Sequence, residues 1–540
     1  MSDIAIKVEG LGKRDRLGSF VLIRDIMVRL VPVFVFLLLV LPRLSWGLPS
    51  QERLQYYPNN PAILNESQDS RFYATSPIES EHPDEGAILN ALRRMHPGQF
   101  DFNPHFFNYP SLHIYTVGAA LEIFKTLGVV KIVNDKNFYF GHPEEMAKIY
   151  LVGRVITVLY GIAVLLLVSG ITMLLTRNRA AAAVSAITLA VTPLWARDSA
   201  FLLVNVPAAA LMTLTVYLSL KAYYQRHPWL LYVASISAGL AGGAKYPAGL
   251  IVIIPALIAI VNRGSNAKFR EVSIIVVKHF VIAGLAFLVT TPYAVVSPRE
   301  FLANTLFEAH DKLSAGGLLT SWTGLMFSAG PLLIVAFIGA WAYIAKWRRP
   351  VAAILGLWFL VGAGGALFSG MVLLRYWIPA LPVMATTIGV GYSALQAGRY
   401  YKFSTIVLAV VLIYSAAYSI DLNLVSAQVD PRLKAAAWIN ESLPVGSNVA
   451  TRRIYFDSPP FNADRFHLTW LLPNTCDAPP DAYLIRTEPL NGPHLCTGQR
   501  TVKAEFLNRF KVYPFQTLTN IPSDLNYTNM RIVVYSPTNF

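Results

Sequence analysis

Apolar runs close to bilayer length recur along most of this chain, and short basic clusters separate them. A run of about 20 apolar residues can cross a membrane as a helix. Runs of this kind begin near Met27 and recur until about Ile420. Each must satisfy its backbone polar groups internally, so the spanning part of the chain is restricted to helices. Composition agrees: the 540 residues are 54% hydrophobic and 14% charged, and a soluble chain carries about 25% charge. The net charge of +14 could indicate a nucleic-acid partner. Its basic residues instead lie in short clusters between apolar runs, as in cytoplasmic loops. The first run has no small-residue cleavage site after it and reads as a retained span rather than a signal peptide.

The basic clusters set an expected topology. Lys7, Lys13, Arg14, Arg16 and Arg24 precede the first span, about residues 27–48, and belong inside. Further spans are expected near 150–175, 180–195, 201–220, 229–243, 247–261, 272–295, 320–345, 351–368, 377–395 and 403–420. The segment 110–130 contains His113, Glu122 and Lys125; it either crosses or lies along the surface as an amphipathic helix. If it does not cross, the basic clusters fall inside. The positive-inside rule therefore favours about eleven spans, a cytoplasmic N-terminus, a first outer loop over 49–149 and an extracytoplasmic C-terminal segment. The expected localisation is a multi-pass plasma membrane, of the bacterial inner-membrane kind.

This topology brings distant charges to one leaflet: Asp84, Glu85, Arg197, Asp198, Lys245, Arg299, Glu300, His310, Asp311 and Arg375. Lys245 lies in AGLAGGAKYPAGL and Arg375 in MVLLRYWIPALP. A cation at such depth is costly unless it is paired or faces a wet cavity. Acids and cations converging there suggest a site for an anionic lipid head group with a reaction beside it. Asp84 and Glu85 also begin an expected helix over 84–95, where the helix dipole alone favours acids. Lys245 could equally snorkel to lipid head groups, and Arg375 could pair with an outer acid for structural reasons. His82, His105 and His310 match no zinc spacing. The aromatics of FNPHFFNYP suit an interfacial belt as well as a sugar site.

Beyond Asp421 the long apolar runs stop. Residues 431–442 read as a short amphipathic helix, and 449–455, 482–485 and 531–535 as strands, giving a small outer α/β or α+β domain over 421–540. The two cysteines, Cys476 and Cys496, are either disulfide partners in an extracytoplasmic setting or two buried thiols. Asn440-Glu-Ser and Asn526-Tyr-Thr are acceptor sequons, meaningful only in a host that glycosylates them.

HPDE, FNPHFFNYPSL, GRVITVLYGIAVLLL, TPLWARDSAFLLVNVP, GLAGGAKYPAGL and RYWIPALP occur in that order. The series resembles the GT-C membrane glycosyltransferases of the protein O-mannosyltransferase and aminoarabinose-transferase type, over about residues 27–400. The resemblance implies a GT-C catalytic domain over 1–420. It implies an inverting transfer of a sugar from a polyprenyl-phosphate donor to a glycan, lipid or protein acceptor on the outer face. It also implies Asp84 as general base, with Glu85 orienting it or binding acceptor or sugar. Lys245 and Arg375, with Tyr246 and Tyr376, would hold the donor phosphate, since fixed positive charge in a dry site stabilises developing negative charge. His82, Tyr109, Arg197, Asp198, Asn205 and His310 are candidates for acceptor or sugar contacts. Family members often carry Asp where this chain has Asn205 in LLVNVP. An amide cannot act as a base or a strong metal ligand, so no metal or other cofactor is expected. The competing class is a transporter or flippase for lipid-linked sugars. Such proteins usually show internal repeats and midplane sites, which this sequence lacks.

Overall fold

The computed structural model describes residues 30–55, 78–264, 268–313, 318–369, 373–396, 398–399, 401–452, 459–461, 465–471, 476–488, 493–512 and 529–538. The basic cluster Lys7 to Arg24, positions 453–455 of the first expected strand and Asn526 lie outside these residues.

Helices occupy every place where the sequence predicts a span. We label them in chain order: α1 Leu30–Arg43, α2 Pro83–Arg93, α3 Ser111–Thr126, α4 Pro143–Thr176, α5 Arg179–Ala190, α6 Asn205–Gln225 and α7 Trp229–Ala244. Then come α8 Tyr246–Arg263, α9 Phe269–Thr290, α10 Pro298–Leu313, α11 Leu318–Ala329, α12 Pro331–Trp347, α13 Arg349–Leu367, α14 Leu374–Gln396, α15 Tyr401–Ser426 and α16 Pro431–Ser442. Seven helices are long and apolar enough to cross a membrane, or eight if the pair α11–α12, bent by 103°, counts as one; α1, α5 and α7 are shorter apolar helices. The bend falls at Gly330-Pro331, where a proline cannot continue the hydrogen-bond ladder. The segment expected over 110–130 forms α3, of 16 residues, and is not among the helices long enough to cross.

The surface of this bundle is apolar where a soluble protein would be polar. Phe34, Val289, Val335 and Ile413 are exposed, the arrangement expected when hydrocarbon rather than water is the solvent. The interior is filled by Trp195, Trp358, Trp377, Tyr150 and Phe36. Close helix approach relies on glycine. A Cβ on Gly239 of α7 would lie 2.1 Å from the Ala283 carbonyl oxygen of α9, so any side chain there would force the two helices apart.

Helix α15 runs past Asp421 to Ser426, and α16 opens the C-terminal unit with Asp430 accepting from Arg432 N–H at its N-cap. Five strands follow: β1 Asn448–Arg452, β2 His467–Leu471, β3 Tyr483–Glu488, β4 Val502–Phe506 and β5 Arg531–Tyr535. They form one sheet in the order β2-β1-β3-β5-β4. β1 is parallel to β2 and β3, while β5 is antiparallel to β3 and β4. Ala435 and Ile439 of α16 pack on Val449, Ile485, Ile532 and Val534.

Cys476 and Cys496 form a disulfide on the opposite sheet face, and the buried Arg486 guanidinium lies 3.2 Å and 3.3 Å from the two sulfurs. Closing a loop with a sequence separation of 20 stabilises by about 3 kcal/mol in the chain-entropy account. Reduction is therefore expected to lower the unfolding midpoint of the C-terminal unit while the helical bundle keeps its own. Differential scanning fluorimetry with and without reductant reads this directly.

Candidate functional site

Helix α2 starts at Pro83, with His82 as its N-cap in an extended conformation and Asp84 and Glu85 in its first turn. Proline at the first helical position and acids in the first turn are both favoured. Helical phase then separates the two carboxylates. Asp84 pairs with Arg375: Nε to Oδ2 is 3.0 Å, and Nη2 to Oδ1 is 3.5 Å. The Asp84 side chain remains 16% exposed.

Glu85 points the other way and is fully buried. Arg154 of α4 donates to it twice, Nε to Oε1 at 2.8 Å and Nη2 to Oε2 at 2.6 Å. The Leu202 backbone N–H donates to Oε1 at 2.7 Å, and the Ser80 hydroxyl donates to Oε2. The remaining arm of Arg154, Nη1, donates to the carbonyls of Leu44 and Trp46 at 2.7 Å and 2.8 Å. Burial alone would raise the Glu85 carboxyl. The Arg154 charge and hydrogen bonds, with His82 and the Leu202 N–H, outweigh it and hold the group below its ordinary value. Glu85 is thus an ionised brace joining the end of α1, the loop before α2, α4 and the segment before α6. Both of its oxygens are engaged by protein donors.

Lys245 sits where α7 ends. Its backbone is extended, with φ −154° and ψ 122°, and this break directs the side chain inward. Nζ donates to Asn205 Oδ1, and lies 4.3 Å from the centroid of the Tyr376 ring. The Arg375 guanidinium carbon is 5.9 Å from the same ring. Asp84, Arg375, Tyr376, Lys245 and Asn205 therefore form one continuous row, assembled from four separate parts of the chain. Asn205 is the first residue of α6 and is 3% exposed. Its neutral amide holds the ammonium without adding the negative charge that an aspartate would bring. Tyr109 feels the charge of this row: burial raises its phenol well above the ordinary value, with a smaller push from the Asp84 charge.

The other candidates lie around this row rather than in it. Tyr246 donates through its hydroxyl to the Phe107 carbonyl at 2.9 Å and packs edge-on against Phe301, so it ties α8 to the loop before α3. His82 is buried against Phe201, with ring centroids 4.8 Å apart, and burial lowers its pKa. Arg197 and Asp198 are buried and paired with each other, beside the buried Arg43, whose Nε donates to Asn423 at 2.6 Å. His310 is exposed on α10, the helix whose Glu308 bonds Asn108 and whose Glu300 bonds His105. Among the described residues, no group of three or more His, Cys, Asp or Glu is placed to hold a metal ion.

Sequence reasoning overlooked Arg154. Its signal was present: an arginine inside GRVITVLYGIAVLLL, an otherwise apolar run, needs a buried partner. It also overlooked Glu81 and the two arginines paired with it, Arg53 and Arg432.

Residues 103–304 match the family model described as dolichyl-phosphate-mannose-protein mannosyltransferase. The matched segment holds Tyr109, Arg154, Arg197, Asp198, Asn205, Lys245 and Tyr246. No curated protein matches the chain in sequence. Among solved structures, the chain is similar to the oligosaccharyltransferase AglB of Archaeoglobus fulgidus in complex with an inhibitory peptide and a dolichol-phosphate. That similarity has 12% identity and a TM-score of 0.47, and covers 82% of this chain and 64% of that one. The chain thus spans about two thirds of the length of the archaeal protein. It is also similar to ArnT from Cupriavidus metallidurans bound to undecaprenyl phosphate, with 12% identity, a TM-score of 0.47, and coverage of 94% of this chain and 97% of that one. The match over 103–304 bears out the GT-C resemblance read from the ordered motifs.

Proposed function

We propose that this GT-C-like chain is a glycosyltransferase that moves a sugar from a polyprenyl-phosphate donor to an acceptor hydroxyl at the outer face of the membrane, with inversion. The observation that carries the reading is the row Asp84–Arg375–Tyr376–Lys245. Asp84, Arg375 and Lys245 together carry one net positive charge, the complement of a phosphodiester. Without donor, Arg375 is held by Asp84. An incoming phosphate draws the guanidinium toward itself, since Arg suits planar bidentate recognition of phosphate, and this leaves the Asp84 carboxylate able to accept a proton.

In the transfer step the acceptor oxygen attacks the anomeric carbon and its proton passes to Asp84. The bond from that carbon to the phosphate oxygen breaks, and the lipid phosphate leaves as a dianion. Arg375 and Lys245 stabilise the growing charge, so no general acid is needed. Tyr376, lying between the two cations, fixes their spacing. An outer-facing site requires a lipid-linked donor, because nucleotide sugars stay in the cytoplasm. The expected acceptors are a glycan, a lipid or a protein hydroxyl, and no metal ion takes part.

A charged hydrogen bond contributes about 1.5–3 kcal/mol, and each 1.4 kcal/mol is tenfold. Lys245→Met is therefore expected to raise the KM for donor by about 10-fold or more. A radiolabelled polyprenyl-phosphate sugar assay in proteoliposomes checks this. Label that crosses the bilayer without reaching any acceptor would identify a transporter instead.

A further inference from the structure

We propose that the C-terminal unit is part of the scaffold that positions Asp84, acting through Arg432, which thereby serves as a positioning residue for the reaction. The inference rests on the role assigned to Asp84 above.

The loop entering α2 is held on both sides of Asp84 by buried carboxylates. Glu85, one position after it, is locked by Arg154. Glu81, three positions before it, is locked by two more arginines. Its Oε1 lies 3.0 Å from Arg53 Nη2, and its Oε2 lies 2.5 Å from Arg432 Nη1. Arg53 belongs to the segment after α1 and also donates through Nη1 to the carbonyls of Gly47 and Glu79. Arg432 is different in origin. It is the second residue of α16, the first helix of the C-terminal unit, and lies 351 positions after Glu81 in the sequence.

The site around Arg432 is built rather than incidental. The residue is 1% exposed and Glu81 is 8% exposed. The guanidinium is divided between two acids: Nε and Nη2 bond Asp430 at 2.9 Å and 2.7 Å, while Nη1 reaches Glu81. Asp430 also caps α16 through the Arg432 N–H, so the guanidinium is fixed relative to the helix axis. On the other side, the Glu81 N–H donates to the Gly47 carbonyl at 2.8 Å. A Cβ on Gly47, whose φ is +65°, would lie 2.7 Å from Glu81 Cβ. Neither partner can move without disturbing backbone.

The unit is also docked independently of this pair. Asp421 Oδ2 of α15 accepts from the N–H groups of Lys511 and Val512 at 2.7 Å and 2.8 Å. Phe510 is buried in the same core as Phe36, Trp195 and Leu422. Loss of the Glu81–Arg432 bond therefore loosens the catalytic loop on one side without detaching the unit, while Arg53 and Arg154 keep their hold. Misplacement of a catalytic group by about 1 Å can cost about 100-fold in rate.

The test uses the full chain in proteoliposomes with Arg432→Met, Arg432→Lys and Glu81→Gln. Hydrogen exchange at residues 80–86 is read alongside kcat and donor KM. The expected result for Arg432→Met is faster exchange over 80–86 and a kcat lowered about 10-fold or more, with donor KM within about twofold of wild type. Arg432→Lys restores much of kcat, because one ammonium still reaches Glu81. Glu81→Gln lowers kcat at least as much as Arg432→Met, because it also removes the counter-ion of Arg53, and the double variant is no worse than Glu81→Gln alone. Unchanged exchange over 80–86 in a folded Arg432→Met variant overturns the inference, whatever the activity. So does faster exchange with unchanged kcat. If Arg432→Met does not fold, the decision passes to Arg432→Lys and Glu81→Gln, and wild-type kcat in both overturns it. Failure of the wild-type chain to transfer sugar contradicts the proposed function instead. In that case the exchange readout alone decides whether Arg432 orders the loop.

Discussion

Asp84→Asn is expected to leave the chain folded and able to bind lipid phosphate, and to lower kcat for sugar transfer by about 1,000-fold, within the range for loss of a general base. Asparagine has the same shape and its amide oxygen still accepts from Arg375, so the row keeps its geometry. It cannot take up the acceptor proton. The ion pair it weakens is partly exposed, with side chains 10% and 16% accessible, so the stability change is small beside the rate change. Single-turnover transfer from a labelled donor, with the melting temperature as control, separates the two. A variant that melts normally and turns over at the wild-type rate would remove Asp84 from the chemistry.

The largest stability effect belongs to the residue next door. Glu85→Gln leaves the Arg154 charge buried without its counter-ion, and Arg154→Met leaves the Glu85 carboxylate in the same position. Both residues are fully buried, and breaking such a pair costs about 3–5 kcal/mol. Removing both charges in Glu85→Gln/Arg154→Met should recover part of that loss, and a double-mutant cycle in detergent measures how much. Recovery is incomplete because the Leu44 and Trp46 carbonyls lose the donor that Arg154 supplied. The same pair predicts a pH dependence. The folded-state pKa of Glu85 lies below its ordinary value of 4.5. Its contribution to stability is therefore fully present above about pH 4.5 and is lost as pH falls through the folded value. Acid unfolding of Glu85→Gln should be correspondingly shallower below pH 4.5. Equal slopes for the two proteins would contradict the assignment.

The helical bundle was legible because apolar length and basic punctuation are strong, additive signals. Every expected span corresponds to a helix, though α5 ends at Ala190, short of the run expected to reach 195. The sheet was half legible. β1, β3 and β5 form its middle and read as apolar clusters. β2 and β4 are its edges and are only partly buried, so their sequences, HLTWL and VKAEF, lack an apolar run. The meeting of Asp84 with Arg375 joins positions 291 apart. No local spacing encodes it; shared placement at one end of the spans suggested it. The distinct behaviour of Glu85 could not be read from its position beside Asp84. One residue of helical phase turned it from Arg375 toward Arg154. The arginines that hold the loop were missed for a common reason: each pairs with an acid remote in sequence, and burial of a charge is visible only once the partner is in place.

The central claim is that Lys245 and Arg375 hold the phosphate of a lipid-linked sugar with Asp84 facing the reacting carbon. An experimental structure of the full chain with a polyprenyl-phosphate bound tests it most directly. The account predicts the phosphate within hydrogen-bonding distance of both Lys245 Nζ and the Arg375 guanidinium, with the latter turned away from Asp84. A phosphate seated elsewhere in the bundle, with the Asp84–Arg375 pair intact, would contradict it.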